Sequence, residues 1–575
     1  MKKALVLLLA AVLVLTGCMG GAAEASSSAA VVRLMAESTS DSSAPATEIR
    51  SATVEPTVSV VTPTVTVDYD EEDLTADVDT SDADVVILEG DAIGFDGGGA
   101  TVEGSVITIT SAGTYQVRGT LDDGQIIVDT ADEDPVVLVL DGVDMTCTTS
   151  APIYVVNADR VVITLAEGSE NVVTDGDVYT YANPETDEPN AAIYSADDLT
   201  VNGTGSLNVN ANYNNGIAST DDLKITGGTI TVVAANDGIK GKDSVAILDG
   251  TISIAAGADG IQSHNAEDVE KGYVAIEGGT IDIVAGLDGV QAETQMLVSG
   301  GTLTVEAGAR TAASNQAGTA DSTKGLKAGV AVSITGGTID IDAADDAIHS
   351  NDALTIDAGT LLLASGDDGM RADNVVTING GMVDIAESYE GIESAAITIN
   401  GGTVLVVASD DGVNAVSASS SGMGGESNDG SMLTITGGFL VAVGSSGMAE
   451  SPSASSGQNS VLVNFTSALL AGTIVHIETS DGEELLIFSS SKQFQSVVFS
   501  SPELESGETY VVYVGGSATG TVVDGVYTDG DYVAGTEADS FTVASVVTTV
   551  GESAGMSGRS GRQRPKPTTE RTSFP

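Results

Sequence analysis

Eight glycines and one alanine recur at a nearly fixed interval, and that interval constrains the fold more than any other feature of the chain. Gly216, Gly238, Gly260, Gly289, Gly325, Ala347, Gly369, Gly391 and Gly412 are separated by 22, 22, 29, 36, 22, 22, 22 and 21 residues. A second series, Gly228, Gly250, Gly279, Gly301, Gly337, Gly359, Gly381, Gly402 and Gly438, closes a Gly-Gly-Thr-like turn with steps of 22, 29, 22, 36, 22, 22, 21 and 36. The commonest step defines the unit, and each of the longer steps contains one whole polar insertion. Those insertions fall near 264–271, 311–322 and 417–430. A fixed period of this kind is the signature of a repeat architecture.

Within each unit apolar residues alternate with polar ones. Ile230, Ile252, Ile281, Leu303, Ile339, Leu361, Val383, Val404 and Leu440 follow the second glycine by two, and a further apolar column follows two residues later. Ile217, Ile239, Ile261, Val290, Leu326, Ile348, Met370, Ile392 and Val413 follow the first series by one. A period of two marks strands with one buried face. Gly-Gly-Thr would break a helical repeat, and a propeller blade needs about 40–50 residues. The expectation is an all-β chain whose core is a right-handed parallel β-helix of 22-residue coils over 84–450. After a serine-rich break, 460–550 alternates differently and reads as a C-terminal β-rich cap or small sandwich.

The termini read differently. Residues 1–17 carry Lys2 and Lys3, a short apolar run and Leu15-Thr16-Gly17, the pattern of a secretory signal ending in a lipobox. Cleavage before Cys18 and lipidation of its thiol are expected, which makes the protein a lipoprotein on the outer face of the cell, held to the membrane by its lipid alone. Residues 18–83 read as that anchor and a flexible tether, and 551–575 as a disordered tail. Cys147 is the other cysteine, so no intramolecular disulfide can form after lipidation. It reads as a small buried hydrophobe.

Charge excludes one class of partner. With 83 acids against 20 bases the formal net charge is −63, and a nucleic-acid ligand would demand the opposite balance. The chain has no Trp, so an aromatic handle for a sugar falls to its 13 Tyr.

The acids are placed periodically. Asn215, Asp237, Asp259, Asp288, Lys324, Asp346, Asp368, Glu390 and Asp411 precede the turn position of each unit, with pairs at Asp345/Asp346, Asp367/Asp368 and Asp410/Asp411. An Asp-Gly step makes a turn, with Gly supplying φ > 0. A column of them costs more than a turn requires. Unit charges about 4.8 Å apart repel by roughly 3–4 kcal/mol at an effective dielectric of about 20. A cation that offsets this is expected, and calcium, a taker of six to eight hard oxygens, suits carboxylates. The candidate metal ligands are Asp237, Asp259, Asp288, Asp345, Asp346, Asp367, Asp368, Asp410 and Asp411. With three His and one thiol left free, zinc is not expected. Two residues beyond the turn glycine lies a mixed column in which Lys240, Lys327, His349 and Arg371 are candidate ligand-binding residues for uronate carboxylates. The same column also suits a surface row of salt bridges.

The stretches "YQVRGTLDDGQIIVD", "LKITGGTITVVAANDGIKGKDSV", "STKGLKAG", "DDAIHSN" and "DDGMRAD" resemble the calcium-binding, carbohydrate-binding β-helix family of cellulosome-forming clostridia. That family is similar in fold to pectate lyases. The resemblance spans about 84–550 and implies binding of cellulose or of acidic, polygalacturonate-like polysaccharide with calcium. It brings no catalytic residue.

Three other functions fit the fold. A calcium-dependent uronate lyase needs a base, for which Lys324, Lys327 and Arg371 are the candidates, but a Lys among carboxylates is held charged. A polygalacturonase-like hydrolase needs "GHG" and "RIK" signatures, which are absent from the sequence. A structural stalk or adhesin needs no site at all. A non-catalytic binding protein is the expectation.

Overall fold

The structure is a computed structural model, and it describes residues 65–181, 187–308, 322–415, 432–447 and 449–551. The signal segment, Cys18 and the tail beyond 551 lie outside these residues. So do the inserts expected at 311–322, apart from Ser322, and at 417–430.

Almost every element is a strand. The repeating unit becomes three short strands, and each pairs, parallel and in register, with its counterpart one unit on. The first ladder stacks Thr229–Ala234, Thr251–Ala256, Thr280–Ala285, Thr302–Ala307, Thr338–Ala343 and Thr360–Ser365. The second stacks Ile239–Gly241, Ile261–Ser263, Val290–Ala292, Leu326–Ala328 and Ile348–Ser350. The third stacks Ser244–Ile247, Tyr273–Ile276, Gln295–Val298, Ala331–Ile334 and Ala353–Ile356. The apolar columns read from the sequence meet inside as one continuous core. Each fully buried aliphatic contributes roughly 1.5–3 kcal/mol.

The two glycine series are needed for different reasons. Gly250 and Gly359 of the Gly-Gly-Thr turn have φ of 128° and 111°, a region costly for other residues. The Asp-Gly pattern predicts positive φ for the acidic-turn glycines too, and they do not adopt it. A Cβ at Gly260 would stand 2.6 Å from the carbonyl oxygen of Gly289 and 2.3 Å from the Ile283 side chain. These glycines let successive coils approach, and Ala347 shows that one coil tolerates a methyl there.

Upstream, irregular coils continue the ladders. Asp84–Gly90 pairs in parallel with Gly113–Leu121, which pairs with Val136–Cys147. Cys147 is buried. The short helix Glu71–Leu74 lies within the stretch expected as tether, and it is docked on the coils. Asp73 is fully buried and accepts hydrogen bonds from Thr200 Oγ1 at 2.7 Å and Lys224 Nζ at 3.0 Å.

Downstream, Phe439–Gly444 pairs antiparallel with Phe494–Ser500, so the large sheet runs on into the C-terminal region. That region adds a six-stranded antiparallel sheet with its own core. One outward column shows where it packs. Ser253, Asp282, Thr304 and Asp340 are exposed, whereas Leu405 and Val441 in the same register are buried against the second core. Among the described residues no helix is long and apolar enough to cross a membrane.

Candidate functional site

The second ladder carries the acidic and basic columns, and the structure brings them together. Lys240, Gln262, Gln291, Lys327, His349, Arg371, Glu393 and Asn414 are direct register partners along it. The neighbouring aspartates face inward more than a row of solvated turn residues would. Asp237, Asp259, Asp288, Asp346, Asp368 and Asp411 are each at most 4% exposed. Asp345, Asp367 and Asp410, their chain neighbours, are half-buried.

From Asp237 to Asp346 the inner carboxylates divide their two oxygens between two tasks. One oxygen accepts a backbone N–H from the next coil: Asp259 N–H to Asp237 Oδ1 at 3.2 Å, Asp288 to Asp259 at 2.9 Å, Lys324 to Asp288 at 2.8 Å, and Asp368 to Asp346 at 3.1 Å. The other faces the outward column. Lys240 Nζ is 2.8 Å from Asp237 Oδ2, Lys327 Nζ 2.8 Å from Asp288 Oδ2, His349 Nδ1 2.7 Å from Asp346 Oδ2, and Arg371 Nη1 3.1 Å from Asp368 Oδ2. At Asp259 the partner is neutral, Gln262 Nε2 at 2.5 Å. The four candidate ligand-binding residues are thus also the side-chain partners of four candidate metal ligands.

Lys324 breaks the acidic column in sequence and mends it in space. Its ammonium lies 2.7 Å from Asp345 Oδ2 and 2.6 Å from Asp346 Oδ2. Burial favours the neutral amine, but Asp346 and Asp345 outweigh it and raise the Lys324 pKa. A Lys held charged in this way is a poor proton acceptor. Burial likewise pulls the Asp346 pKa upward, yet the His349 hydrogen bond and Lys324 bring it down to about 2. The cluster of Asp345, Asp346 and Asp367, with carboxylate oxygens within 4.8 Å of one another, therefore already contains a cation.

The outward column supplies no cation after Arg371, and Lys492 reaches this end from the C-terminal region, to the Ser388 carbonyl at 2.8 Å, Ser409 Oγ at 3.0 Å and Glu387 at 3.5 Å. Asp368, Glu390 and Glu393 form a second cluster of the same span. Arg371 serves both Asp368 and Glu393, each at 3.1 Å. Burial, then Asp346 and Asp367, push the Asp368 pKa up to about 8. One coil further, among the described residues, no Lys, Arg or His pairs with Asp411. Its Oδ1, the oxygen that elsewhere takes the next coil's N–H, is buried and has no hydrogen-bond partner among the described residues. Burial, then Asp410, Glu390 and Glu450, push its pKa up to about 7. Glu390 and Glu393 stand in the sequence columns but call for no role until the geometry is known. Glu450, whose carboxylate accepts the Ala415 N–H at 2.8 Å, lies outside the repeat and gives no sequence signal.

Comparison with known proteins now bears on this row. A family model described as carbohydrate-binding domain-containing protein matches residues 103–369, which hold most of the ladder. A protein of the same description from Acetivibrio thermocellus is 53% identical over 136 residues, 24% of this chain and 48% of that protein. The chain thus spans about half the length of that curated relative. A solved structure described as the polysaccharide lyase-like protein from C. thermocellum, gadolinium derivative, shares 37% identity. It covers 52% of this chain and 96% of its own, with a TM-score of 0.37.

Proposed function

We propose that the protein is a non-catalytic, cell-surface polysaccharide-binding lipoprotein that holds acidic, polygalacturonate-like or cellulosic chains with the help of calcium. The family match over 103–369 supports the carbohydrate part of this reading. Parallel crossovers are overwhelmingly right-handed, which supports a right-handed β-helix as the frame. On that frame Lys240 and Lys327 each commit one of three N–H donors to an aspartate. The other donors are suited to a uronate carboxylate.

The observation that carries the calcium reading is the Oδ1 of Asp411, buried with no hydrogen-bond partner among the described residues, beyond the last cation of the outward column. An isolated buried charge is costly, and a hard divalent ion is its natural complement. Asp411 would offer that oxygen, and Asp410 and Glu390 are the carboxylates whose charge acts on it most strongly. Calcium bound there would supply a positive centre that a uronate carboxylate can share. Asp237, Asp288, Asp346 and Asp368 have counter-charges from the chain itself and call for calcium less. Display on the cell surface rests on Cys18, and Cys18→Ala is expected to move the protein to the aqueous phase of a detergent partition.

The test uses the full chain. Its melting temperature is expected to rise with calcium and fall with chelator, by an amount equivalent to about 2.7 kcal/mol at 100-fold over the dissociation constant. Asp411→Asn is expected to shrink that shift, and chelator to weaken retention on polygalacturonate. A melting temperature indifferent to calcium would remove calcium from the reading. Failure to bind any polysaccharide would remove the function itself.

A further inference from the structure

The outward column does not begin at Lys240. Going back along the same ladder, Lys240 is in register with Ala218, Ala218 with Tyr194, and Tyr194 with Tyr154. The inner column changes with it. Asn215 occupies the aspartate's place, its Oδ1 accepting the N–H of Asp237 at 3.2 Å and the side-chain amide of Asn236 at 3.0 Å. Over these coils, acid becomes asparagine and base becomes tyrosine.

Other tyrosines converge on this end. Tyr179 and Tyr213 stack at 4.2 Å between ring centroids and 15° between planes. Tyr181 donates to the hydroxyl oxygen of Tyr213 at 3.2 Å. Tyr154 and Tyr194 meet edge to face at 5.8 Å. Tyr179 and Tyr194 are buried and serve as the base of the cluster, whereas Tyr154, Tyr181 and Tyr213 are half-buried and pack against it. The charge beside them is negative. Asp175 lies 2.8 Å from the Tyr179 hydroxyl, and Asp187 and Glu188 follow in the same connection. The column itself holds no cation before Lys240.

From this juxtaposition we infer that Tyr154, Tyr181 and Tyr213, with Asn236 and with Asn212, whose side-chain amide donates to the Asp175 carbonyl at 2.8 Å, form a second subsite that takes a neutral pyranose chain. The reasoning rests on the polysaccharide-binding function proposed above. Aromatic rings present apolar faces that match the axial C–H face of a pyranose. Carboxylate and amide groups accept and donate to its hydroxyls. A uronate would meet acids here with no base to offset them, so the acidic ligand belongs to the Lys240–Arg371 end. One continuous ladder thus separates two sugar chemistries by position.

The chain has no Trp and 13 Tyr, so its intrinsic fluorescence reports on tyrosine alone. Cellohexaose added to the full chain is expected to perturb that emission and to protect Tyr181 and Tyr213 from nitration. An oligogalacturonate of equal length is expected to do neither. Tyr181→Ala with Tyr213→Ala is expected to weaken cellohexaose binding at least tenfold while leaving retention on polygalacturonate unchanged, and Lys327→Gln is expected to do the reverse. Should the double alanine variant not fold, the nitration pattern of the wild type decides alone. The inference is overturned if wild-type protein binds cellohexaose without protecting these tyrosines, if the folded variant binds it as tightly as wild type, or if wild type does not bind it. Absence of binding to every polysaccharide would overturn the underlying function instead.

Discussion

Asp237 Oδ1 accepts the backbone N–H of Asp259, one coil further on, at 3.2 Å. The aspartate is therefore a connector between coils before it is anything else, and the charge on its second oxygen is a separate matter. An asparagine keeps the connecting oxygen and loses only the pair with Lys240. We expect Asp237→Asn to cost less than about 1 kcal/mol and Asp237→Ala about 1–3 kcal/mol, because alanine leaves a buried N–H without an acceptor. Denaturant titration of both variants checks this. Equal costs would mean that the ion pair, and not the backbone bond, is what the position supplies.

Lys324 is the built-in cation of the Asp345–Asp346 pair. Its removal leaves carboxylates close together with one of them nearly inaccessible. We expect Lys324→Ala to destabilise the protein by about 2–4 kcal/mol in chelator and calcium to restore a larger part of stability than it adds to wild type. Because Lys324 is charged, neither protein is expected to produce the absorbance of unsaturated uronate from polygalacturonate. A steady product signal in wild type that the variant abolishes would make Lys324 a base and the protein a lyase.

Asp384 is 5% exposed and lies beside Asp524, a residue with φ of 50° in the turn after Thr521–Val523. Burial first, and then the neighbouring carboxylate, push the Asp384 pKa up to about 7. The folded protein then holds a proton that the unfolded chain, titrating near 4, gives up. Its contribution to stability is complete below about pH 4 and is lost as pH rises through about 7. Asp384→Asn is expected to match wild type near pH 4 and to exceed it by about 1–3 kcal/mol at pH 8. A difference that does not change with pH would show that the two acids do not share a proton.

Thr360 is in register with Met382, one unit on. Inserting a duplicate of the whole unit between Gly359 and Gly381 is expected to leave a cooperative melt close to wild type, since a coil contacts only its neighbours. Inserting half a unit there is expected to abolish it, because the strands of one ladder would face the turns of another. Circular dichroism melts distinguish the two, and equal tolerance would contradict the stack.

The stack was legible because its determinants are local and periodic. Ile239, Ile261 and Val290 share a register that their spacing already states. What was not legible depends on contacts between coils. The turn glycine at 260 looks like a φ > 0 residue in one dimension, while its real constraint is the carbonyl of Gly289, a unit away. The cation column was visible as residues, but a salt-bridged row and a ligand-facing row have the same sequence. Tyr154 and Tyr194 escaped the columns because the irregular early coils space them by no multiple of the repeat, so register no longer follows from counting. Asp73 gave no hint of docking, since its partners Thr200 and Lys224 lie far along the chain, beyond several coils.

The docked segment ahead of the first coil has a mechanical meaning. Arg160 pairs with Asp70, Thr200 and Lys224 hold Asp73, and Glu277 accepts the Tyr69 hydroxyl. Tyr69, Asp70 and Asp73 therefore tie this segment to several coils side by side. A pull on this segment from its Tyr69 end would load these bonds before it reached the terminal strand Asp84–Gly90. Attachment at that end would let the body bear tension without unravelling from its first turn.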